Sequence, residues 1–194
     1  MSILAFGINH TTASVDLRGR VAFAPEIVIE SLQQALEHLP GGEIALLSTC
    51  NRTEIYFHGD ASDEQLLSWL ADCKGVALEQ LRECYYCYRD QQAVRHIMCV
   101  ASGLDSLVLG EPQIFGQIKS AYAVGREAGT VATHLNQVFQ SAFAAAKRVR
   151  SETAIGQNPV SVAYASVSLA EQIFADLKDV HALLIGAGET IELV

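Results

Sequence analysis

Apolar residues recur with two different periods along the first ninety residues of the chain. Runs typical of β-strands occupy four ranges, 3–8, 43–48, 53–59 and 83–89. Between them, residues 24–39 and 61–75 repeat apolar positions near the 3.6-residue period of a helix, and glycine or proline follows or ends each stretch. The order βαββαβ predicts the ferredoxin-like split βαβ arrangement, in an α/β (α+β) protein.

Helical periods dominate from residue 91 onward. Four apolar-striped segments are predicted, at 91–104, 112–129, 133–153 and 160–177. We therefore expect three parts: 1–90, a ferredoxin-like part; 91–158, a helical part; and 159–194, a linker helix that leads into the start of another domain.

The last sixteen residues predict a strand that runs into Gly186-Ala187-Gly188. A glycine-rich turn after a buried strand is typical of the first βα turn of a Rossmann domain, where backbone N–H groups hold a phosphate. Ile191 stands where the third glycine of that motif would lie, so an ordinary glycine turn remains the alternative. The acidic residue that binds the ribose lies about 20 residues further on, so we expect an incomplete cofactor site.

The composition narrows the class of protein. Half of the residues are hydrophobic and 18% are charged, which is typical of a globular chain. The first ten residues lack a basic region and turn polar early, so we expect a cytoplasmic protein with no membrane partner. The net charge of −9 opposes non-specific binding of nucleic acid, and an RNA partner would need local basic patches.

Five cysteines, an odd number without an export signal, favour reduced thiols. Cys84 and Cys87 form a C-x-x-C, but on the predicted strand they point to opposite faces, and no second pair completes a zinc site. Cys73 and Cys99 lie on apolar helix stripes. We interpret these four as packed residues and expect no metal site.

Cys50 lies in a short connection between two predicted strands, beside Arg52 and several hydrogen-bonding side chains. It is a packed residue, a metal ligand or a nucleophile; the neighbouring arginine would stabilise a thiolate, or bind a substrate carboxylate. Among the other residues, His96 is the best candidate partner for Cys50. Polar residues follow His96 within an otherwise apolar stretch. Buried polar groups need partners, so the alternatives are a ligand site or a satisfied core histidine with helix caps.

Four segments resemble the glutamyl-tRNA reductase family: GINHTTASVDLRGRVAF (7–23), LLSTCNRTEIY (46–56), ASGLDSLVLGEPQIFGQIKSAY (101–122) and LLIGAGET (183–190). The resemblance runs from Phe6 to the last residue. Ser14 stands where proline is common in the family, and Gly19 where glutamate is common.

The resemblance implies a reaction and a set of site residues. Cys50 would attack the ester of glutamyl-tRNA to form a thioester, and NADPH would reduce that thioester to glutamate-1-semialdehyde, the first step of tetrapyrrole synthesis. His96 would polarise or protonate the reacting carbonyl, and Arg52 would face the substrate carboxylate. The other implied substrate contacts are Thr49, Asn51, Ser106, Glu111, Pro112, Gln113 and Gln117. The implied NADPH contacts are Gly186, Ala187, Gly188, Glu189, Thr190 and Ile191.

The family also implies a homodimer and a possible contact with the downstream aminomutase. From the sequence we expect these 194 residues to form the thioester but not to reduce it, because the cofactor site is incomplete. The alternative is a catalytically inert module that docks a regulator or haem, with Cys50 as a structural or ligating thiol.

Overall fold

The computed structural model of the protein describes residues 2–39, 41–156, 162–174, 176–177, 180–183 and 185. Four strands are present: β1 (Ser2–Asn9), β2 (Gly42–Ser48), β3 (Arg52–Gly59) and β4 (Tyr86–Arg89). The helices of the first half are α1 (Val15–Val21), α2 (Val28–His38), α3 (Asp63–Lys74) and α4 (Leu78–Arg82). Those of the second half are α5 (Asp90–Ala101), α6 (Gln113–Glu127), α7 (Thr133–Glu152) and α8 (Val162–Ile173).

The four strands form one antiparallel sheet in the order β2-β3-β1-β4. This is the strand order that the split βαβ arrangement requires, so the predicted fold class is confirmed. β1 and β3 are central, and Asn9 pairs with Arg52 at the end of the sheet where the β2–β3 connection lies. That pairing brings His10, which follows β1, to the same rim as Cys50.

Both faces of the sheet are covered. One core contains α1 to α4 against the face with Leu4, Phe6, Ile55 and Phe57. The other contains α5, α6 and α7 against the face with Tyr56. All eight residues of β3 are therefore buried. Ile55 and Phe57 face the first core, and the residues that alternate with them face the second.

Local sequence explains most helix ends. Ser14 accepts a hydrogen bond from the Leu17 N–H and caps α1, so the departure from proline at this position supplies a helix cap. Ser62 and Gln65 form a capping box at the start of α3, and Gly75 ends that helix in the left-handed conformation. The predicted helix 24–39 begins with a 3-10 turn, Pro25–Ile27, before α2.

Three predictions in the first half are corrected. The strand predicted at 83–89 begins only at Tyr86, because α4 precedes it and the N–H groups of Cys84 and Tyr85 bond back to the Leu81 carbonyl. Cys84 is therefore not on a strand. Cys73 is exposed rather than packed, and helices α1 and α4 were not predicted.

The second half follows the prediction closely at 113–127 and 133–152. The predicted glycine-rich turn at 186–188 lies outside the described residues and stays a prediction, as do the three domain boundaries. Of the strand predicted before it, residues 180–183 and 185 are described, and none of them is in a strand. Among the described residues, no helix is long and apolar enough to cross a bilayer.

Candidate functional site

The Cys50 thiol lies on a tight turn between β2 and β3. The Thr49 N–H donates to the Arg52 carbonyl (2.8 Å), which closes the turn. The Thr49 hydroxyl accepts from the N–H groups of Asn51 and Arg52, both at 3.2 Å, and the Arg18 Nε donates to the Cys50 carbonyl at 3.4 Å. Cys50 itself is exposed. The turn therefore presents the thiol to solvent on a backbone held from both sides.

Arg52 connects this turn to the interior. Its side chain is only 2% exposed. The Nη1 atom donates to Glu54 (2.6 Å) and to the Asp105 carboxylate (2.9 Å), and Nη2 donates to the Asp105 carbonyl. A guanidinium has five N–H donors, so Nε and one hydrogen of Nη2 are uncommitted among the described residues. Arg52 thus has an edge available for a ligand while it holds the loop after α5.

Glu54 is the centre of a buried polar cluster, which we call the Glu54 cluster: Glu54, Arg52, Tyr56, Tyr86, His96 and Asp105. Glu54 is completely buried. Its Oε1 accepts from Arg52 Nη1, from the Tyr86 hydroxyl (2.6 Å) and from His96 Nε2 (3.1 Å), and its Oε2 accepts from the Tyr56 hydroxyl (2.6 Å). Four donors on one carboxylate offset the cost of burying its charge.

The cluster fixes protonation states. Burial alone would raise the pKa of Glu54, but the hydrogen bond and charge of His96, the charge of Arg52 and the Tyr56 hydroxyl hold that pKa well below its usual range. Burial and the Glu54 charge raise the pKa of Tyr56 and Tyr86, so both remain neutral donors. Because an ionised carboxylate only accepts, His96 Nε2 carries a proton toward Glu54 and its Nδ1 faces elsewhere.

Two buried polar atoms close to this cluster lack partners among the described residues, His10 Nδ1 and Ser106 Oγ. Burial first, and then the positive charge of Arg52, lower the pKa of His10, which favours the neutral imidazole. Ser106 follows Asp105, the residue whose carboxylate and carbonyl are bound by Arg52. Unsatisfied buried groups are rare in native proteins, and here they indicate a place for a ligand.

The predicted site residues fall around two separate cavities. His96 and Asp105 line one of about 320 Å³ with Tyr88 and Arg95. Gln113 and Gln117 line another of about 410 Å³ beside Ser48. The loop between α5 and α6, which carries Ser106, Glu111 and Pro112, is held by the Arg52–Asp105 contacts and by Arg150, whose Nη1 donates to the Gly110 carbonyl (3.1 Å).

The structure therefore links Arg52 and His96 through Glu54. Thr49, Cys50 and Asn51 lie on the turn that leads to Arg52, and Gln113 and Gln117 line a different recess. The predicted NADPH contacts at 186–191 lie outside the described residues. Sequence reasoning missed Glu54, Tyr56 and Tyr86. The available signal was a carboxylate two residues from an arginine in a strand of the core, because two such charges on one strand face are close enough to pair.

Two groups of side chains have ligand atoms close enough to hold a cation: Glu54 with His96 and Asp105, and Glu43 with His58 and His134. In the first group the Arg52 guanidinium already supplies the positive charge. In the second, Glu43 accepts from the N–H groups of Ala132, His134 and Leu135 and so caps α7. Both arrangements have an explanation without a metal.

Comparison with known proteins gives a consistent result. The family described as "Glutamyl-tRNAGlu reductase, N-terminal domain" matches residues 6–153. Glutamyl-tRNA reductase of Ectopseudomonas mendocina is 60% identical over 195 residues, covering 100% of this chain and 46% of that protein. The protein of the same name from Saccharophagus degradans is 59% identical over 194 residues, with the same coverage.

A solved structure of a protein with the same name has a similar fold. Glutamyl-tRNA reductase from Methanopyrus kandleri superposes with a TM-score of 0.68 at 32% identity, covering 98% of this chain and 45% of that one. The chain therefore spans about half the length of the relatives it matches.

Proposed function

The chain belongs to the glutamyl-tRNA reductase family, and we propose that it transfers the glutamyl group of glutamyl-tRNA to Cys50. One observation carries the proposal: the exposed Cys50 thiol lies two residues before Arg52, whose side chain is bound within the buried Glu54 cluster. A reactive group on a loop is useful only if a rigid scaffold fixes its position, and Arg52 provides that link.

The proposed step is an acyl transfer. The Cys50 thiolate attacks the carbonyl carbon of the aminoacyl ester, so that a C–S bond forms and the C–O bond to the ribose breaks. The departing ribose oxygen takes a proton and leaves as a free hydroxyl of the tRNA. In this step His96 Nδ1 would polarise the carbonyl or deliver that proton; because Nε2 already donates to Glu54, this role requires the imidazolium form, which carries a proton on both ring nitrogens.

The glutamyl group is held by groups that the fold leaves available. The free Nε and Nη2 edge of Arg52 suits a carboxylate, which guanidinium binds in bidentate fashion. The Ser106 hydroxyl and His10 Nδ1, both buried without partners in the described part of the chain, offer further polar contacts. Thr49 and Asn51 shape the turn, and Glu111 and Pro112 belong to the loop after α5. Gln113 and Gln117 line the neighbouring recess beside Ser48, and we propose that they contact the substrate from there.

Reduction is the second half of the proposal and concerns a protein of the relatives' full length. When bound, NADPH would supply a hydride that converts the thioester to glutamate-1-semialdehyde. A thioester is easier to reduce than an ester, whose reduction must expel an alkoxide, so covalent catalysis divides one difficult step into two. The 194 residues by themselves should acylate without reducing. For the full-length enzyme we propose a cytoplasmic homodimer that passes its product to an aminomutase.

The test follows labelled glutamate from glutamyl-tRNA to the protein in the absence of NADPH. The label should join the chain in a form that hydroxylamine releases, as expected for a thioester. Cys50→Ser should abolish the transfer, and Cys73→Ser, which changes the other exposed cysteine, should not. Equal labelling of both variants would refute the assignment of Cys50, and no labelling of the folded parent would favour the inert binding module.

A further inference from the structure

Two tyrosines of β4 lie against the His96 ring. Tyr86 and Tyr88 are two residues apart on this edge strand, so both side chains point to the same face of the sheet. Tyr88 pairs with Ala5 of β1, whose side chain belongs to the core that contains α5. The two rings are therefore on the side of the sheet that α5 covers, and His96 of α5 contacts both of them there.

The two rings contact the imidazole in different ways. The centroid of the Tyr88 ring lies 4.7 Å from that of His96 at an interplanar angle of 31°, so these two rings are stacked with a tilt. The Tyr86 ring lies 5.4 Å away at 61° and meets the imidazole edge to face. Tyr86 and Tyr88 also contact each other, at 5.4 Å. The imidazole is thus bounded by aromatic rings on two sides.

The hydroxyl groups of the two tyrosines also differ. The Tyr86 hydroxyl donates to Glu54 at 2.6 Å, which makes Tyr86 a member of the Glu54 cluster. Tyr88 is 37% exposed, and its hydroxyl has no hydrogen-bond partner in the part of the chain that the structure describes. The contact of Tyr88 with His96 therefore depends on the ring and not on the hydroxyl.

The stacked ring restricts a motion that the hydrogen bond of His96 leaves open. Nε2 donates to Glu54 at 3.1 Å, and a single hydrogen bond allows the imidazole to swing about that contact and change the direction of Nδ1. Tyr88 and His96 line the same cavity of about 320 Å³, so the imidazole could turn into the space that a smaller side chain would leave. Proton transfer needs a donor and an acceptor about 2.6–3.2 Å apart, so the direction of Nδ1 matters.

We propose that Tyr88 is a positioning residue whose ring directs His96 Nδ1 toward the departing ribose oxygen of glutamyl-tRNA; this rests on the acyl transfer proposed above. In that step the C–O bond to the ribose breaks, and the oxygen takes the Nδ1 proton of the imidazolium. The neutral ring that remains keeps its Nε2 proton on Glu54. An alkoxide leaves poorly without a proton, so a misdirected Nδ1 slows the step. A thiolate leaves without one, because thiols are much stronger acids than alcohols.

The test compares two glutamyl donors at saturating concentration on the 194-residue chain, with the Cys50 thioester measured by mass spectrometry. One donor is glutamyl-tRNA, and the other is a glutamyl thioester of N-acetylcysteamine, whose leaving group is a thiolate. Tyr88→Leu should slow acylation by glutamyl-tRNA about 10-fold, less than the full 10²–10⁴-fold contribution of a general acid, because His96 is misdirected but present. The thioester donor should react at the parent rate. Tyr88→Phe, the matched control, keeps the ring and should match the parent with both donors.

A double substitution shows whether Tyr88 acts through His96. In the His96→Gln variant, whose amide can still donate to Glu54, adding Tyr88→Leu should cause no further loss with glutamyl-tRNA, because the group that Tyr88 directs is absent. Additive losses would overturn the proposal, as would an equal loss for both donors in Tyr88→Leu, since either result would indicate a general effect on the fold. A parent rate for Tyr88→Leu with glutamyl-tRNA would also overturn it. If neither donor acylates the parent, the acyl transfer itself fails, and the role of Tyr88 fails with it.

Discussion

Replacing Glu54 by glutamine removes one negative charge from the Glu54 cluster and keeps the shape of the side chain. The Glu54 oxygens accept four hydrogen bonds, and the glutamine carbonyl can still accept the three that reach Oε1. The principal loss is therefore the charge opposite Arg52, which is 2% exposed.

The magnitude follows from that burial. Removing one partner of a buried ion pair costs about 3–5 kcal/mol, because the other charge remains desolvated. Asp105 stays within 2.9 Å of Arg52 but is 39% exposed, so water screens part of its compensation. We expect the Glu54→Gln variant to lose about 3 kcal/mol of unfolding free energy at pH 7.

Urea titration of both proteins measures this loss. The matched control is Glu64→Gln, which breaks the exposed pair with Arg82 and should cost less than about 1 kcal/mol. Since folding lowers the pKa of Glu54 from its ordinary 4.5, the Glu54 contribution is complete above pH 4.5 and declines as the pH falls further. A Glu54→Gln loss no larger than that of the control would refute the role of the cluster.

Three further predictions concern the sheet and the thiols. Glu43→Ala, which removes the cap of α7, should lower the unfolding free energy by about 2 kcal/mol. Because folding lowers the pKa of Glu43, the difference in stability between this variant and the parent should shrink below about pH 4.5. Gly7→Ala forces a Cβ within 2.9 Å of a backbone atom of β3 and should cost about 1–3 kcal/mol. Gly19→Ala, within helix α1, should instead stabilise the protein by about 0.5–1 kcal/mol; equal urea midpoints for the two variants would contradict this. At pH 8, iodoacetamide should modify Cys50 well before Cys87, since burial raises the pKa of Cys87 to about 11; peptide mapping that finds Cys87 first would contradict it.

The strands and long helices follow from local patterns. The βαββαβ order and the helices near 113–127 and 133–152 could be predicted because each carries a clear apolar period. The short α4 could not, because five residues show little more than one turn of that period. The error at Cys84 followed directly, since the predicted strand was extended over the end of this helix.

The site was predictable only where chemistry is local. Cys50 and Arg52 are two residues apart, and an unusual thiol beside an arginine is visible in the sequence. The contact of Arg52 with Asp105 spans 53 positions, and that of Glu54 with His96 spans 42. Such contacts depend on how the helical half packs on the sheet, and the sequence pattern does not specify that packing.

The central claim is that Cys50 accepts the glutamyl group. Intact-protein mass spectrometry after mixing the chain with glutamyl-tRNA, without NADPH, tests it most directly. The account predicts a glutamyl adduct on the parent and none on the Cys50→Ser variant. An adduct on both proteins, or on neither when both are folded, would contradict it.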